Sequence, residues 1–169
     1  MDKRILVNMG TKVDYTNTIQ VLTEFGNAII DSYKEKLGSQ GYQDGKLFNT
    51  IVLQGIKENK GNFNISINLE EYWKYIEYGR KAGAKMPPIK PIENWIIVKQ
   101  IIPKPLTLKS GKTIIPSTKS LAFVIARSIS RKGIKPRPYL KNSIDEMKKI
   151  FIERIKDAIA KDLKMIIEG

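Results

Sequence analysis

The sequence contains no histidine and no cysteine. The missing histidine removes the commonest general base near neutral pH and the commonest zinc ligand. The missing cysteine excludes disulfides and thiolate chemistry, and it is compatible with any redox compartment. An enzyme built from this chain would need carboxylates, lysine or tyrosine, or an all-oxygen magnesium site. These absences favour a protein that is not an enzyme and that uses no cofactor.

Long apolar runs are also missing. No run approaches the roughly 20 residues that span a bilayer, and the N-terminal segment MDKRILVNMGTK has too short an apolar run for a secretory signal. The length of 169 residues and the apolar content of 41% are typical of one globular domain. We therefore expect a single domain with no membrane partner. The missing histidine and cysteine are the reason that no small-molecule substrate is expected either.

Acidic residues are absent from one long stretch, 95–142, which contains eleven Lys and Arg residues. Between residues 71 and 142, sixteen basic residues accompany three acidic ones, so this segment carries +13. The remainder of the chain has fourteen residues of each sign and is neutral. This placement suggests a surface that faces nucleic acid or an acidic face of another protein. A solvated basic surface without a partner is the alternative.

The spacing of apolar residues predicts an α+β fold, in which a small antiparallel sheet accompanies an N-terminal helix, two middle helices and a long C-terminal helix. The predicted elements are a strand at 5–9, a helix capped by Asp14 or Thr16 and ending at Leu37, strands at 47–56 and 62–72, a short helix or extended segment at 73–78, a helix at 91–101, a hairpin-like excursion at 101–119, a helix at 120–133 and a terminal helix at about 139–167.

Several details of the helices follow from single residues. Gly38 is expected to end the first helix in a left-handed conformation, and Gly26 within that helix indicates close packing. Ser143 and Glu146 have the spacing of a capping box for the last helix, which could also begin earlier, at Tyr139. This last helix is expected to carry one apolar stripe, made of Ile144, Met147, Phe151, Ile155, Ile159, Leu163 and Ile166.

The segment YIEYGRKAG, residues 75–83, places Gly79 between Tyr78 and Arg80. One interpretation is a loop that docks on a neighbouring subunit through Tyr78 and Arg80, since Tyr and Arg are favoured at interface centres. The other is that Tyr78 packs on the sheet while Gly79 makes a turn. Trp95 lies at helical spacing and is expected in the core, and a role in stacking nucleic-acid bases is disfavoured.

The segment GIKPRPYL, residues 133–140, is expected to be a rigid connector. Gly133 would end the preceding helix, Pro136 and Pro138 would hold the chain extended, and Pro138 would suit the start of the last helix. The densest group of cations surrounds this connector and the excursion before it. Its members are Lys109, Lys112, Lys119, Arg127, Arg131, Lys132 and Lys135.

Three segments in this order, YIEYGRKAG, PPIKPIENWI and LAFVIARSISRKGIKPRPYL, resemble the head–tail connector or tail-completion (neck) proteins of tailed bacteriophages. The resemblance covers roughly residues 72–143, and the excursion at 101–119 is longer than the usual spacer of that family. It implies a virion structural protein without enzymatic activity. Such a protein forms a homo-oligomeric ring at the phage neck that joins portal to tail around the DNA channel, with twelvefold or sixfold symmetry left open.

The resemblance implies as partners other copies of the chain, the portal or adaptor protein and tail proteins, with possible non-specific contact to packaged DNA. The residues expected to contact subunits or partners are Tyr78, Arg80, Lys81, Lys85, Lys109, Lys112, Arg127, Arg131, Lys132 and Arg137. Loops at 79–90 and 102–119 would reach to neighbours, and the terminal helix would pack laterally or against an adjacent ring. An acidic protein face is favoured over phosphate, because DNA must slide through the channel.

Two other functions compete with the ring. A basic, sequence-independent duplex DNA-binding protein would show affinity that falls steeply with salt. A metal-dependent nuclease would use Glu70 and Glu71 beside Lys74, but adjacent carboxylates in a strand point to opposite faces, and no Asp accompanies them at a suitable spacing. The nuclease is therefore disfavoured, and no metal or catalytic residue is expected.

Overall fold

The computed structural model describes residues 14–43, 45–107 and 109–168. The architecture is α+β, which confirms the predicted fold class. The strand expected at 5–9 lies outside the described residues. In chain order the elements are α1 (Thr16–Gly38), α2 (Lys46–Thr50), β1 (Val52–Asn59), β2 (Asn62–Asn68), α3 (Trp73–Glu77), α4 (Ile89–Val98), β3 (Leu106–Thr107), β4 (Thr113–Ile114), α5 (Thr118–Lys132) and α6 (Tyr139–Glu168).

The chain divides into two compact units, where the sequence predicts one domain. The first unit consists of Met1–Trp73 and Pro138–Gly169, and it contains α1, α2, β1, β2 and α6. The second unit is Lys74–Arg137, and it contains α4, β3, β4 and α5 together with most of α3. The segments that resemble the connector family lie mainly in the second unit.

Helices α1 and α6 form the main contact of the first unit. The rings of Phe25 on α1 and Phe151 on α6 lie 5.6 Å apart. Burial of apolar side chains at three- and four-residue spacing contributes about 1.5–3 kcal/mol for each large side chain. The buried residues of α1 are Thr18, Leu22, Gly26, Ile29, Ile30, Ser32, Tyr33 and Leu37.

Gly26 lets α1 approach the hairpin of β1 and β2, which confirms the close packing predicted there. A Cβ on this residue would lie 2.8 Å from Leu53 Cδ1 and 3.4 Å from Ile65 Cγ2. The contact with the hairpin offsets the cost of about 1 kcal/mol that glycine carries inside a helix.

Strands β1 and β2 are antiparallel and are joined by a two-residue turn, so that Asn59 pairs with Asn62. Lys60 and Gly61 have φ angles of 51° and 78°. Two positive φ values are those of a type I′ turn, whose twist matches the strands that it joins. On β2, the half-buried Phe63 and Ile65 alternate with exposed asparagines, whereas Ser66 and Ile67 are both half-buried.

The start of α1 is capped by a side chain from α6, whereas the sequence predicts a cap by Asp14 or Thr16. The residue before the helix is Tyr15, which makes no side-chain cap. One Asp162 carboxylate oxygen accepts the Asn17 N–H at 3.1 Å and the Asn17 amide at 2.7 Å. The other accepts the Thr18 N–H at 2.8 Å and the Thr18 hydroxyl at 2.6 Å. This carboxylate therefore ties the first turn of α1 to the C-terminal part of α6.

The pKa of Asp162 reflects this buried position. Burial acts to raise the pKa, but the hydrogen bonds from Thr18 and Asn17 favour the ionised carboxylate and hold the pKa below its ordinary value. The positive end of the α1 dipole points at the same carboxylate and acts in the same direction.

The predicted capping box of Ser143 and Glu146 is wrong, because α6 begins one turn earlier, at Tyr139. The Ser143 hydroxyl is buried and accepts a hydrogen bond from Ser32 Oγ at 3.0 Å. Glu146 forms an ion pair with Lys36 at 2.7 Å, and this contact lowers the pKa of Glu146. Both polar residues bind α1 and do not cap their own helix.

The early start of α6 agrees with the role suggested for Pro138, whose carbonyl accepts the Asn142 N–H at 3.0 Å. The predicted apolar stripe is only partly correct, because Ile144 and Leu163 are exposed. Among residues 139–165, the buried positions of α6 are Ser143, Phe151, Ala158 and Asp162, and two of the four are polar. The side chain of Ile166, the last residue of the predicted stripe, lies outside the described residues.

Residues 46–50 form the short helix α2, where the sequence predicts the start of a strand. Leu47 and Ile51 are both buried, and their four-residue spacing is helical. The Leu47 N–H donates to the Tyr72 hydroxyl oxygen at 2.6 Å, and partial burial raises the pKa of that hydroxyl. Helix α1 ends at Gly38 as predicted, but Gly38 is not left-handed, and the glycine of the following turn with a positive φ angle is Gly41, at 76°.

In the second unit, α4 packs against α5. Ile96 is only 2% exposed, and Ala122 and Ala126 are fully buried. Small side chains on one helix allow close approach of the other, so this core is compact but contains few large residues. Strands β3 and β4 pair Leu106 with Ile114, which confirms the hairpin predicted within the excursion.

Candidate interaction surface

The net charge of the protein lies entirely in the second unit. Residues 74–137 include fifteen Lys and Arg residues and two acidic ones, a net charge of +13, which is that of the whole chain. The first unit has fifteen residues of each sign and is neutral. The division into units therefore coincides with the division in charge that the sequence shows.

Two of the family-like segments meet in the second unit through their backbones. The Arg80 N–H donates to the Ile134 carbonyl oxygen at 2.8 Å, and the Ile134 N–H donates to the Arg80 carbonyl oxygen at 2.9 Å. The Arg137 N–H donates to the Ile76 carbonyl oxygen at 2.8 Å. We call this contact of residues 76–84 with residues 130–137 the crossing.

The crossing continues at the end of α5. The Gly83 N–H donates to the Ser130 carbonyl oxygen at 2.7 Å, and the Ser130 hydroxyl donates to the Ala84 carbonyl oxygen at 2.6 Å. These bonds tie the loop that carries Lys81 and Lys85 to the last turn of α5, which carries Arg131 and Lys132. Four of the predicted contact residues therefore share one part of the surface, and all four are exposed.

Two glycines allow the backbones to meet at the crossing. Gly79 and Gly133 have φ angles of 68° and 73°, in the left-handed region that favours glycine. A Cβ on Gly79 would overlap the Ile134 carbonyl oxygen and lie 2.7 Å from Pro136 N, while a Cβ on Gly133 would overlap the Arg80 carbonyl oxygen. Gly133 also ends α5, as predicted.

The side chains of the tyrosine–glycine–arginine motif have different environments. Tyr78 is 71% exposed, so the interpretation that it packs on the sheet is wrong. Arg80 is partly buried, its guanidinium lies 5.7 Å from the centre of the Tyr75 ring, and it donates to the Lys85 carbonyl oxygen. Arg80 thus supports the loop, and a contact between Arg80 and a neighbour stays a prediction.

The remaining predicted cations lie on separate elements. Lys109 and Lys112 are at the tip of the β3–β4 hairpin, Arg127 is in the middle of α5, and Arg137 is on the connector before α6. All four are exposed. The structure therefore distributes the predicted cations over the loop, the hairpin tip and α5 and does not gather them at one point.

Exposed apolar side chains accompany these cations, and the sequence analysis missed them. Trp95 is 48% exposed, so its predicted place in the core is wrong, and its neighbour Ile96 is buried instead. Ile97 and Val98 follow it on α4 and are also exposed. The available signal was the unbroken apolar run at 95–98, of which one helix face can bury only part. Other exposed apolar residues of this unit are Tyr75, Met86, Ile102, Leu106, Ile114, Ile115, Phe123, Val124 and Ile134.

The carboxylates considered for a nuclease site bind within the first unit. Glu70 accepts a hydrogen bond from Thr50 Oγ1 at 3.2 Å and pairs with Lys46 at 3.0 Å, which ties α2 to the end of β2. Glu71 is exposed in the turn that follows. Within residues 14–43, 45–107 and 109–168, no group of three possible metal ligands occurs.

No helix of the described residues combines the length and the apolar character needed to cross a membrane. No protein-family model matches the chain, and neither a curated protein nor a solved structure matches it.

Proposed function

We propose that this protein is a virion structural component, a subunit of a homo-oligomeric ring at the phage neck that joins portal to tail around the DNA channel. The observation that carries the proposal is the surface of the second unit, which combines the whole net charge with exposed apolar side chains. The crossing supports it, because it brings together two segments that resemble the connector family.

The mixed character of this surface favours a protein partner over duplex DNA. Protein interfaces have an apolar centre and a polar rim, with aromatic residues and arginine enriched. Interfaces with DNA are more polar and are dominated by phosphate contacts. Trp95, Phe123 and Val124 are exposed on the same unit as the cations, and these apolar groups gain nothing from phosphate. An acidic protein face of the portal, of the tail or of an adjacent ring offers carboxylates to the cations and apolar groups to the exposed apolar side chains.

Ring closure needs a second kind of contact, between copies of the chain. A heterologous contact joins different surfaces of neighbouring subunits and closes when its rotation divides a full turn. The charged second unit and the neutral first unit give each copy two unlike surfaces. Electrostatic matching with the acidic partner would raise the docking rate and set the order of assembly.

Co-sedimentation with purified portal rings tests the proposal. We expect the protein to sediment with the portal, and we expect replacement of Lys81, Lys85, Arg131 and Lys132 by Gln to weaken this association about tenfold or more. A matched variant removes the same charge from the first unit, at Lys57, Lys60, Lys148 and Lys149, and should bind as the wild type does. Duplex DNA is the control ligand. Tight DNA binding with a steep loss in salt, without binding to the portal, would support the duplex-binding alternative and contradict the ring.

A further inference from the structure

A groove in the second unit opens beside the outer side of α5. It is lined by Ile89, Lys119, Ser120, Phe123 and Val124, and its volume is about 370 Å³. A cavity of roughly 150 Å³ holds a benzene ring. The groove therefore has room for one or two bulky apolar side chains, and three of its five lining residues are apolar.

Two arginines continue the same face of α5 beyond the groove. Phe123, Arg127 and Arg131 are four residues apart, so they project from one side of the helix. At 1.5 Å per residue, the arginines lie about 6 Å and about 12 Å from Phe123 along the helix axis. Both arginines are exposed, and neither makes an ion pair within the described part of the chain. Ala122 and Ala126, the buried residues of α5, lie on the adjoining side of the helix, one residue before Phe123 and Arg127.

The second unit has no carboxylate to offer these arginines. Its two acidic residues are Glu77, which is buried, and Glu93, which pairs with Lys90 at 3.4 Å. The sequence from 95 to 142 contains no acid at all. A carboxylate that pairs with Arg127 or Arg131 therefore has to come from outside this unit.

We infer that the groove and these two arginines bind an acidic protein segment, which inserts an apolar side chain against Phe123 and Val124 and directs carboxylates to Arg127 and Arg131. Duplex DNA fits less well, because an apolar floor offers phosphate no hydrogen bonds. A second copy fits less well, because the rest of the chain is balanced in charge. The inference rests on the proposed function for the partner's class and adds the chemistry that the partner must have.

Fluorescence anisotropy with a labelled synthetic peptide tests this inference on the full chain. The peptide is an amphipathic sequence of glutamate and leucine with one phenylalanine, and its counterpart has glutamine at every glutamate. We expect Phe123→Ala, and separately the pair Arg127→Gln with Arg131→Gln, to weaken binding of the acidic peptide about tenfold. The glutamine peptide should bind about tenfold more weakly to the wild type.

Matched control variants separate binding at the groove from non-specific electrostatic attraction and non-specific hydrophobic binding. Lys104→Gln with Lys135→Gln removes the same charge from exposed positions elsewhere in the unit, and Ile102→Ala removes an exposed apolar side chain outside the groove. Both should bind the acidic peptide within about threefold of the wild type. Because Phe123 and the arginines are exposed, the variants should fold, and unchanged circular dichroism would establish this.

Equal weakening in the control variants would overturn the inference, and so would equal binding of the glutamine peptide. Displacement of the peptide by duplex DNA, with DNA affinity lowered by Phe123→Ala, would make the groove a nucleic-acid site. A self-association that Phe123→Ala abolishes would make a second copy the occupant. Failure of peptide binding alongside intact rings would refute only this inference, whereas peptide binding without rings or portal binding would refute only the proposed function.

Discussion

Replacement of Gly79 by alanine should open the crossing, whereas the same change at Gly83 should not. Both glycines lie in one loop with positive φ, 68° and 80°, so alanine suffers similar backbone strain of about 1–2 kcal/mol at each. They differ in surroundings. A Cβ on Gly79 would overlap the Ile134 carbonyl oxygen and lie 2.7 Å from Pro136 N, while a Cβ on Gly83 would have nothing within 4 Å.

The clash at Gly79 involves backbone atoms, so no side-chain rotation relieves it. The two segments of the crossing must separate, and the paired hydrogen bonds between Arg80 and Ile134, at 2.8 and 2.9 Å, are lost. At about 1 kcal/mol for each bond, Gly79→Ala should cost about 3–4 kcal/mol and Gly83→Ala about 1–2 kcal/mol.

Hydrogen exchange measured by mass spectrometry provides the local assay. Peptides that contain the amides of Arg80 and Ile134 should lose protection in Gly79→Ala and keep it in Gly83→Ala. The midpoint temperature of thermal unfolding should fall by roughly 10 °C in Gly79→Ala and by roughly 4 °C in Gly83→Ala, because each kcal/mol shifts the midpoint of a chain of this size by about 2–4 °C. Equal losses of protection and stability in the two variants would refute the assigned role of the crossing.

Three further predictions concern the first unit and the hairpin tip. Asp162→Ala should destabilise the protein by about 3 kcal/mol in urea unfolding, because it leaves the Thr18 hydroxyl and two α1 N–H groups without their acceptor. Asp157 is exposed on the same helix, so Asp157→Ala should cost less than about 0.5 kcal/mol. Similar costs for the two variants would contradict the role of Asp162 as a cap. The pKa of Asp162 in the folded protein lies below its ordinary value of 3.8. The stability that Asp162 contributes is therefore complete above pH 3.8 and is lost as the pH falls through the folded pKa, where the acid unfolding curves of the wild type and Asp162→Asn should converge. A constant difference in stability between the two proteins down to the lowest pH would contradict this prediction. Lys109→Gln with Lys112→Gln should leave the free energy of unfolding unchanged within about 0.5 kcal/mol. The same variant should associate more slowly with the portal in a stopped-flow measurement. A loss of stability would show instead that the hairpin tip is structural.

Local patterns predicted most elements of this fold, because their causes are local. Helix α1, the end of α5 at Gly133 and the β3–β4 hairpin all depend on residues close in sequence. The errors arise where a distant partner decides. Asp162 caps α1 from 144 residues away, and Ser143 binds Ser32 across the helix pair, so neither role has a local signature.

The interaction surface was predictable in charge but not in arrangement. The placement of the cations along the chain is a property of sequence, and it coincides with the second unit. The contact of Gly79 with the connector needs two segments about 55 residues apart, and no periodicity encodes it. The helical spacing of Trp95 predicts a place in the core, whereas the buried residue of α4 is its neighbour Ile96.

Electron microscopy of the protein mixed with portal rings can show directly whether the protein forms a ring at the portal. We expect closed rings of the protein seated on the portal, coaxial with its channel, with the second unit of each copy at the contact with an acidic surface. Particles in which the protein stays monomeric beside bare portals, at concentrations that saturate every other component, would contradict it.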